Sequence, residues 1–387
     1  MEVDWQNLEA LPLSLIFDKL VERLDHIYFG VVCKNWYSIA KFNYQNRQIK
    51  NNVLPMLMIP TNIEWRTKRS LYGISSNTIY NFQLQVRHKK RFCGSSHGWL
   101  AKVERSKVAT ITLLNPFKNL DSIRLPRIYM PMIQTRRKNN YEGNIHKVIL
   151  STNPTIRPHD YVVAVIYSMR KSLAFIKAGQ EVWTYVDDIV KDHCCFSDVI
   201  FYKGLIYAVG HWNNIVSFDI CYSKYKGVIP NVVSSGGDVY AHRAYLVKSL
   251  EGELWLVKKF IDFSHNGYVH ISSGTRRFEV YKLELNLQTG KLIQMLKLDS
   301  LGDNVLFLGD NDSVSLSASY FSKYLQENSI YYTDDYYEDL LSPYPNGPFD
   351  MQIYNVKDGS FSQHYPYQQW FKHMPPALWV FPPIQWE

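Results

Sequence analysis

Two periodicities divide the chain. Over residues 1–45 apolar positions recur every three or four: Leu11, Leu15, Ile16, Leu20 and Leu24, then Phe29, Val32, Cys33, Trp36 and Ala40. That spacing lines one face of an α-helix, so two helices are predicted. Pro12 falls in the first turn of the first helix, where its missing N–H has no intrahelical partner to lose. Asp25 is placed to cap the second. From about residue 50 onward, short apolar runs alternate with turn residues. The runs are 54–60, 78–84, 99–103, 109–114, 147–150, 161–167, 199–202, 205–209, 215–218, 244–247, 254–260, 278–283 and 330–333. Lys203-Gly204 and Leu250-Glu251-Gly252-Glu253 each separate two runs and predict tight hairpins. Many short strands with few helical stretches between them predict an antiparallel, mainly β body.

A body of this length suits a β-propeller better than a single sandwich. Gly204-Leu-Ile-Tyr-Ala-Val209, Gly252-Glu-Leu-Trp-Leu-Val257 and Asn328-Ser-Ile-Tyr-Tyr-Thr333 echo one another, each placing an apolar strand after a turn. At about 40–50 residues per blade, six or seven blades fit. The polar stretch Asn43–Asn52 separates the two regions. The boundaries are then 1–45 for the helical module, 46–52 for a linker and 53–387 for the propeller.

The helical module poses a physical problem. Fewer than about 50 residues seldom bury enough surface to fold alone without a metal, a disulfide or a partner. Its apolar stripe therefore needs cover from another chain or from the rest of this one, which makes the segment a docking module.

Composition supports the β-rich body and narrows the setting. Apolar residues make up 46% of the chain, with 28 Tyr and 10 Trp, so a large core is available and aromatic residues suit pleated surfaces. The net charge of +8 and pI near 9.0 attract acidic partners without choosing among them. The basic residues cluster at Arg66, Lys68 and Arg69, at Arg87, Lys89, Lys90 and Arg91, and at Arg136, Arg137 and Lys138. Short runs of this kind are expected as solvated loops and strand ends, not as a nucleic-acid footprint. Five cysteines (Cys33, Cys93, Cys194, Cys195 and Cys221) show no disulfide framework, which points to a reducing compartment. No signal peptide and no transmembrane run is visible. An intracellular protein of cytoplasm or nucleus is expected, with no membrane contact.

Catalytic constellations are missing from the sequence. It has no Gly-x-Ser-x-Gly elbow, no phosphate-cradling loop and no dinucleotide fingerprint. Ser95, Ser96 and His97 are adjacent, and a turn is the expected role. His193, Cys194 and Cys195 lack the further ligands a zinc site needs. Asp187-Asp188 and Asp334-Asp335 are expected to accept turn hydrogen bonds. No catalytic residue, metal or cofactor is assigned.

The N-terminal pattern Trp5…Leu11-Pro12…Leu20…Asp25…Val32-Cys33-Lys34-Asn35-Trp36 resembles the F-box. Members of that family bind the small adaptor subunit of cullin-RING ubiquitin ligases through these apolar faces. The resemblance implies Leu11, Pro12, Leu15, Ile16, Val32, Cys33 and Trp36 as adaptor contacts or their direct supports. Trp36 has an alternative role, covering the propeller. Between Leu11-Pro12 and Ile16–Leu20 the chain is about three residues shorter than the family pattern, close to one helical turn, so the stripe stays nearly in phase.

The remainder resembles the KIB-type β-propeller found behind plant F-boxes. The residues that carry the likeness are Gly94-Ser-Ser-His-Gly-Trp-Leu-Ala101, Leu113-Leu-Asn-Pro-Phe117, Lys147-Val-Ile-Leu-Ser-Thr-Asn-Pro154 and Asp160-Tyr-Val-Val-Ala-Val165. Asp198-Val-Ile-Phe-Tyr-Lys-Gly204, Leu306-Phe-Leu-Gly309, Tyr331-Tyr-Thr-Asp-Asp335 and Pro375-Pro-Ala-Leu-Trp379 continue it. The resemblance implies a non-catalytic substrate receptor of an SCF-type ligase, whose propeller binds a target protein. The alternative is a stand-alone propeller interaction protein with a degenerate F-box and no ligase role.

Overall fold

The computed structural model describes residues 4–46, 53–59, 68–84, 86, 90–104, 109–117, 121–129, 144–186, 195–210, 214–220, 224–229, 241–266, 269–286, 292–333, 350–365 and 375–381. At the N-terminus a 3₁₀ turn (Trp5–Asn7) precedes α1 (Ala10–Phe17), α2 (Arg23–Val31) and α3 (Lys34–Asn46). Asp4 caps the turn, its carboxylate accepting from the Gln6 N–H and the Asn7 amide. Among the described residues no helix is long and apolar enough to cross a membrane.

The rest of the chain forms six sheets. The first blade holds β1 (Met56–Ile59), β2 (Lys68–Gly73) and β3 (Thr78–Gln83). The second holds β4 (Phe92–Ser96), β5 (Trp99–Glu104), β6 (Thr110–Leu114) and β7 (Ser122–Arg124). The third holds β8 (Ile145–Leu150), β9 (Val162–Tyr167), β10 (Ser172–Lys177) and β11 (Thr184–Tyr185). The fourth holds β12 (Phe196–Tyr202), β13 (Leu205–Gly210), β14 (Ile215–Asp219) and β15 (Lys224–Ile229). The fifth holds β16 (Arg243–Lys248), β17 (Leu254–Asn266), β18 (Val269–Leu285) and β19 (Leu292–Leu298). The sixth holds β20 (Asn304–Leu308), β21 (Val314–Ser317), β22 (Ser329–Tyr332), β23 (Gln352–Asn355) and β24 (Phe361–Ser362). Its β20 and β22 run parallel, while the other strand pairs are antiparallel.

The last strand, β25 (Leu378–Val380), returns to pair antiparallel with β1 and so completes the first blade. Segments from both ends of the propeller thereby share one sheet, which closes the ring by strand pairing at the seam. Each junction between blades is an apolar cluster, and the six clusters run in sequence around the ring. Strand alternation divides the residues between them. Met56 and Met58 of β1 face the second blade, while Leu57 and Ile59 face the sixth. In β13, Ile206 and Ala208 pack toward the third blade, and Leu205, Tyr207 and Val209 toward the fifth. This explains why these runs are apolar throughout: both faces are buried. The six-bladed β-propeller thus falls within the expected six or seven blades.

Several expectations need correction. The stripe Leu11–Leu24 does not occupy one helix, because α1 ends at Phe17 with the Lys19 and Leu20 N–H groups bonding back to Ile16 and Phe17. The expected second helix is two helices broken at Val32-Cys33. Asp25 is not its cap. The helix starts at Arg23 behind Glu22, and Asp25 sits in the first turn. Asn43, read as the start of a linker, lies inside α3, where its amide donates to the buried Ser14 hydroxyl. Arg69 and Arg91 are not solvated: both are buried, Arg69 donating to the Lys90 carbonyl and Arg91 to the Ile145 and His146 carbonyls. Arg66, Arg87, Lys89 and the cluster 136–138 lie outside the described residues.

Candidate docking surface and axial polar cluster

The helical module has an inner and an outer apolar set. Leu13 and Phe17 of α1 pack with Phe29, Ala40 and Val53 into a small core, flanked by Leu8, Ile16, Leu20, Trp36 and Ile39. The aromatic rings stack in series, Phe17 on His26 at 4.5 Å, Phe17 edge-on to Phe29 at 5.1 Å, and Phe29 on Trp36 at 4.5 Å. The 3₁₀ turn closes over this row: Trp36 Nε1 donates to the Trp5 carbonyl at 2.8 Å, and the Asn35 amide donates to the Gln6 and Leu8 carbonyls.

The outer set is exposed. Leu11 and Leu15, four residues apart on α1, are 67% and 57% accessible. Tyr28, Val31 and Val32, spaced along one side of α2 and its end, are 58%, 72% and 54% accessible. Apolar residues concentrated on so small a module have no cover among the described residues, and such patches mark interaction sites.

The seven predicted site residues therefore separate into two groups. Leu11, Pro12, Leu15 and Val32 are exposed and available to a partner. Ile16, Cys33 and Trp36 are half-buried, with Ile16 and Trp36 packed against the module core. Trp36 covers the module's own core, not the propeller. Tyr28 and Val31 belong with the exposed group but were not singled out by the sequence pattern. Their i, i+3, i+4 relation with Val32 was the available signal.

The module is joined to the propeller by backbone and side-chain bonds. The Leu54 N–H donates to the Val21 carbonyl at 2.9 Å, and the Tyr320 hydroxyl to the Asp18 carbonyl at 2.7 Å. Val21 packs against the apolar cluster between the sixth and first blades.

A second polar constellation lies where the blades converge. Lys147 of β8 pairs with Asp198 of β12 at 2.5 Å, and the other Asp198 oxygen accepts the Leu246 N–H of β16 at 2.8 Å. The loop 309–313 reaches in from the sixth blade. Its Asp310 pairs with Arg91 at 2.7 Å, its Asp312 accepts from Ser96 at 3.2 Å, and its Gly309 carbonyl accepts from Lys147. Five blades are tied by these buried charges. Burial pushes the Asp312 carboxyl up to about 6, with Lys147 opposing and Asp198 reinforcing the shift. Burial also holds the His146 imidazole down at about 3, aided by the positive charges of Lys171 and Arg91.

Ser95, Ser96 and His97 lie in one hairpin, in the turn role expected of them. Ser95 and Ser96 end β4, while His97 and Gly98, with φ of 52° and 81°, make the two-residue turn into β5. Among the described residues no group of three or more His, Cys, Asp or Glu is arranged to hold a metal. His193, Cys194, Asp187, Asp188, Asp334 and Asp335 lie outside the described residues.

Comparison with known proteins adds to this geometry. The KIB1-4 beta-propeller family model matches residues 71–355. A putative F-box protein of Arabidopsis thaliana is 23% identical, aligned over 98% of this chain and 97% of its own length. F-box protein SKIP23 of the same plant is 24% identical over 98% and 96%. Among solved structures, the beta-propeller domain of Myceliophteria thermophila Cps50 (Swd1) aligns with a TM-score of 0.38 at 7% identity, covering 76% of this chain and 78% of that one.

Proposed function

Because the chain belongs to the KIB1-4 beta-propeller family, and its full-length relatives are named F-box proteins, we propose that it is a substrate-recognition subunit of a cullin-RING ubiquitin ligase. In this reading the helical module at residues 1–45 is the F-box and docks on the ligase adaptor. The propeller, from residue 53 onward, holds a target protein. The chain supplies proximity, and the ubiquitin-carrying enzyme supplies the chemistry.

The observation that carries the reading is the exposed apolar set Leu11, Leu15, Tyr28, Val31 and Val32 on a module whose own core is already filled. An amphipathic helix pair with its outer face uncovered suits a groove on a helical partner. Each leucine buried on docking is worth about 1.5–3 kcal/mol. Co-purification of the full chain with the adaptor tests the assignment. The wild type is expected to co-elute, and Leu11→Ala/Leu15→Ala to lose on the order of 100-fold in affinity. A folded wild-type chain that leaves the adaptor free would support the stand-alone interaction protein instead. The eight-residue α1 is the feature that favours this second reading.

A further inference from the structure

Glu22 fastens the helical module to the first blade. It stands immediately before α2 and is buried. Its Oε1 accepts from the Ser75 hydroxyl and from the Ser76 N–H at 3.0 Å, and its Oε2 accepts from the Tyr80 hydroxyl at 3.2 Å. All three donors belong to the β2–β3 hairpin, so these side-chain bonds cross from one module to the other. The fit around the carboxylate is close. A Cβ added at Gly73 would stand 2.7 Å from Glu22 Oε1 and 2.8 Å from Ser76 Oγ.

Glu22 is buried while its donors are half-buried or exposed, so these bonds are what make the burial of its carboxyl tolerable. The Val21–Leu54 and Asp18–Tyr320 bonds also join the module to the propeller, yet both use backbone carbonyls of the α1–α2 connection. Among the described residues, Glu22 ties the start of α2, and hence the face bearing Tyr28, Val31 and Val32, to the first blade through its side chain.

We propose that Glu22 is a positioning residue that sets the angle between the docking face and the propeller. Resting on the receptor reading above, this fixes which lysines of a held target come within reach of the ubiquitin-carrying enzyme. A merely structural role would be read in stability; a positioning role is read in orientation.

The test uses the full chain with two fluorophores on genetically encoded residues, one at exposed Ser38 on α3 and one at exposed Lys203 in the fourth blade. Wild type and Glu22→Gln, whose amide oxygen can still accept from Ser75 and Ser76, are expected to give one narrow distance distribution. Glu22→Ala and Gly73→Ala are expected to lose that single narrow peak while the propeller keeps its melting temperature. In a reconstituted ligase, self-ubiquitination is expected to spread over more of the chain's own lysines in Glu22→Ala than in wild type. Retention of the narrow peak by both disrupting variants overturns the proposal. So does its loss only in variants whose propeller no longer melts cooperatively. Failure of the wild type to bind the adaptor instead overturns the receptor reading and the lysine-selection claim, while the distance measurement still decides the role of Glu22.

Discussion

At the scale of the residue, burial decides what each ionisable group does. The folded-state pKa of Asp312, about 6, lies above its unfolded value. The folded state therefore binds this proton more tightly, and the stability so contributed is complete below the unfolded pKa and lost as pH rises through about 6. Asp312→Asn removes the dependence. Denaturant unfolding from pH 4 to pH 7 is expected to show wild type losing about 2 kcal/mol relative to the variant; parallel curves would contradict this. His146 and His364 act in the opposite sense, their folded-state values held down by burial to about 3 and about 4. The stability they contribute is complete above the unfolded histidine pKa and falls as pH drops toward those values. Both are present in wild type and variant, so the comparison isolates Asp312. Little of this was legible in the sequence. Arg69 and Arg91 sit in basic clusters that look solvated, and partners distant in sequence, carbonyls and Asp310 among them, are brought to them by the fold and help make burial tolerable. Leu11 and Leu15, by contrast, were legible, because an i, i+4 pair needs only the helix to define its face.

At the scale of the element, the seam between the chain's ends is the most exacting. Trp379 of β25 is fully buried and meets Phe307 edge-on at 5.1 Å, joining the sixth blade to the first. Trp379→Ala is expected to cost about 3–5 kcal/mol, read as a lower denaturation midpoint for the whole propeller. A local effect confined to the last strand would contradict ring closure through β25. Gly94 marks a second tight place: a Cβ there would fall 2.1 Å from the Val148 carbonyl oxygen of the neighbouring blade. Gly94→Ala is expected to cost at least about 1–3 kcal/mol by overpacking, measured in the same way. Strands with apolar residues on both faces were legible as runs, and Lys203-Gly204 as a hairpin with φ of 47° and 78°. Short outer strands such as β7, β11 and β24 carry no comparable signal, since two or three half-exposed residues do not establish a period. The break between α2 and α3 was hidden for another reason. Phe29 and Trp36 keep helical spacing across it because both serve the same core.

At the scale of the whole molecule, two bodies of different origin in the sequence share one boundary. The propeller closes on itself through six apolar junctions and a charged centre, and the helical module rests on the first and sixth blades through Glu22, Val21 and Asp18. The blade number was only bracketed by the sequence. Connections of unequal length and the parallel β20–β22 pair in the sixth blade make the internal echoes uneven. The general plan of a short helical module followed by a β-propeller was legible, whereas the outward direction of Tyr28 and Val31 required the fold.

The proposed receptor role rests on the adaptor binding the outer face of α1 and α2. Hydrogen–deuterium exchange of the full chain, with and without the adaptor, reads that contact. New protection is expected over residues 10–17 and 24–32, with the blades unchanged. Protection confined to the propeller, or none in a chain shown to be folded, would contradict it.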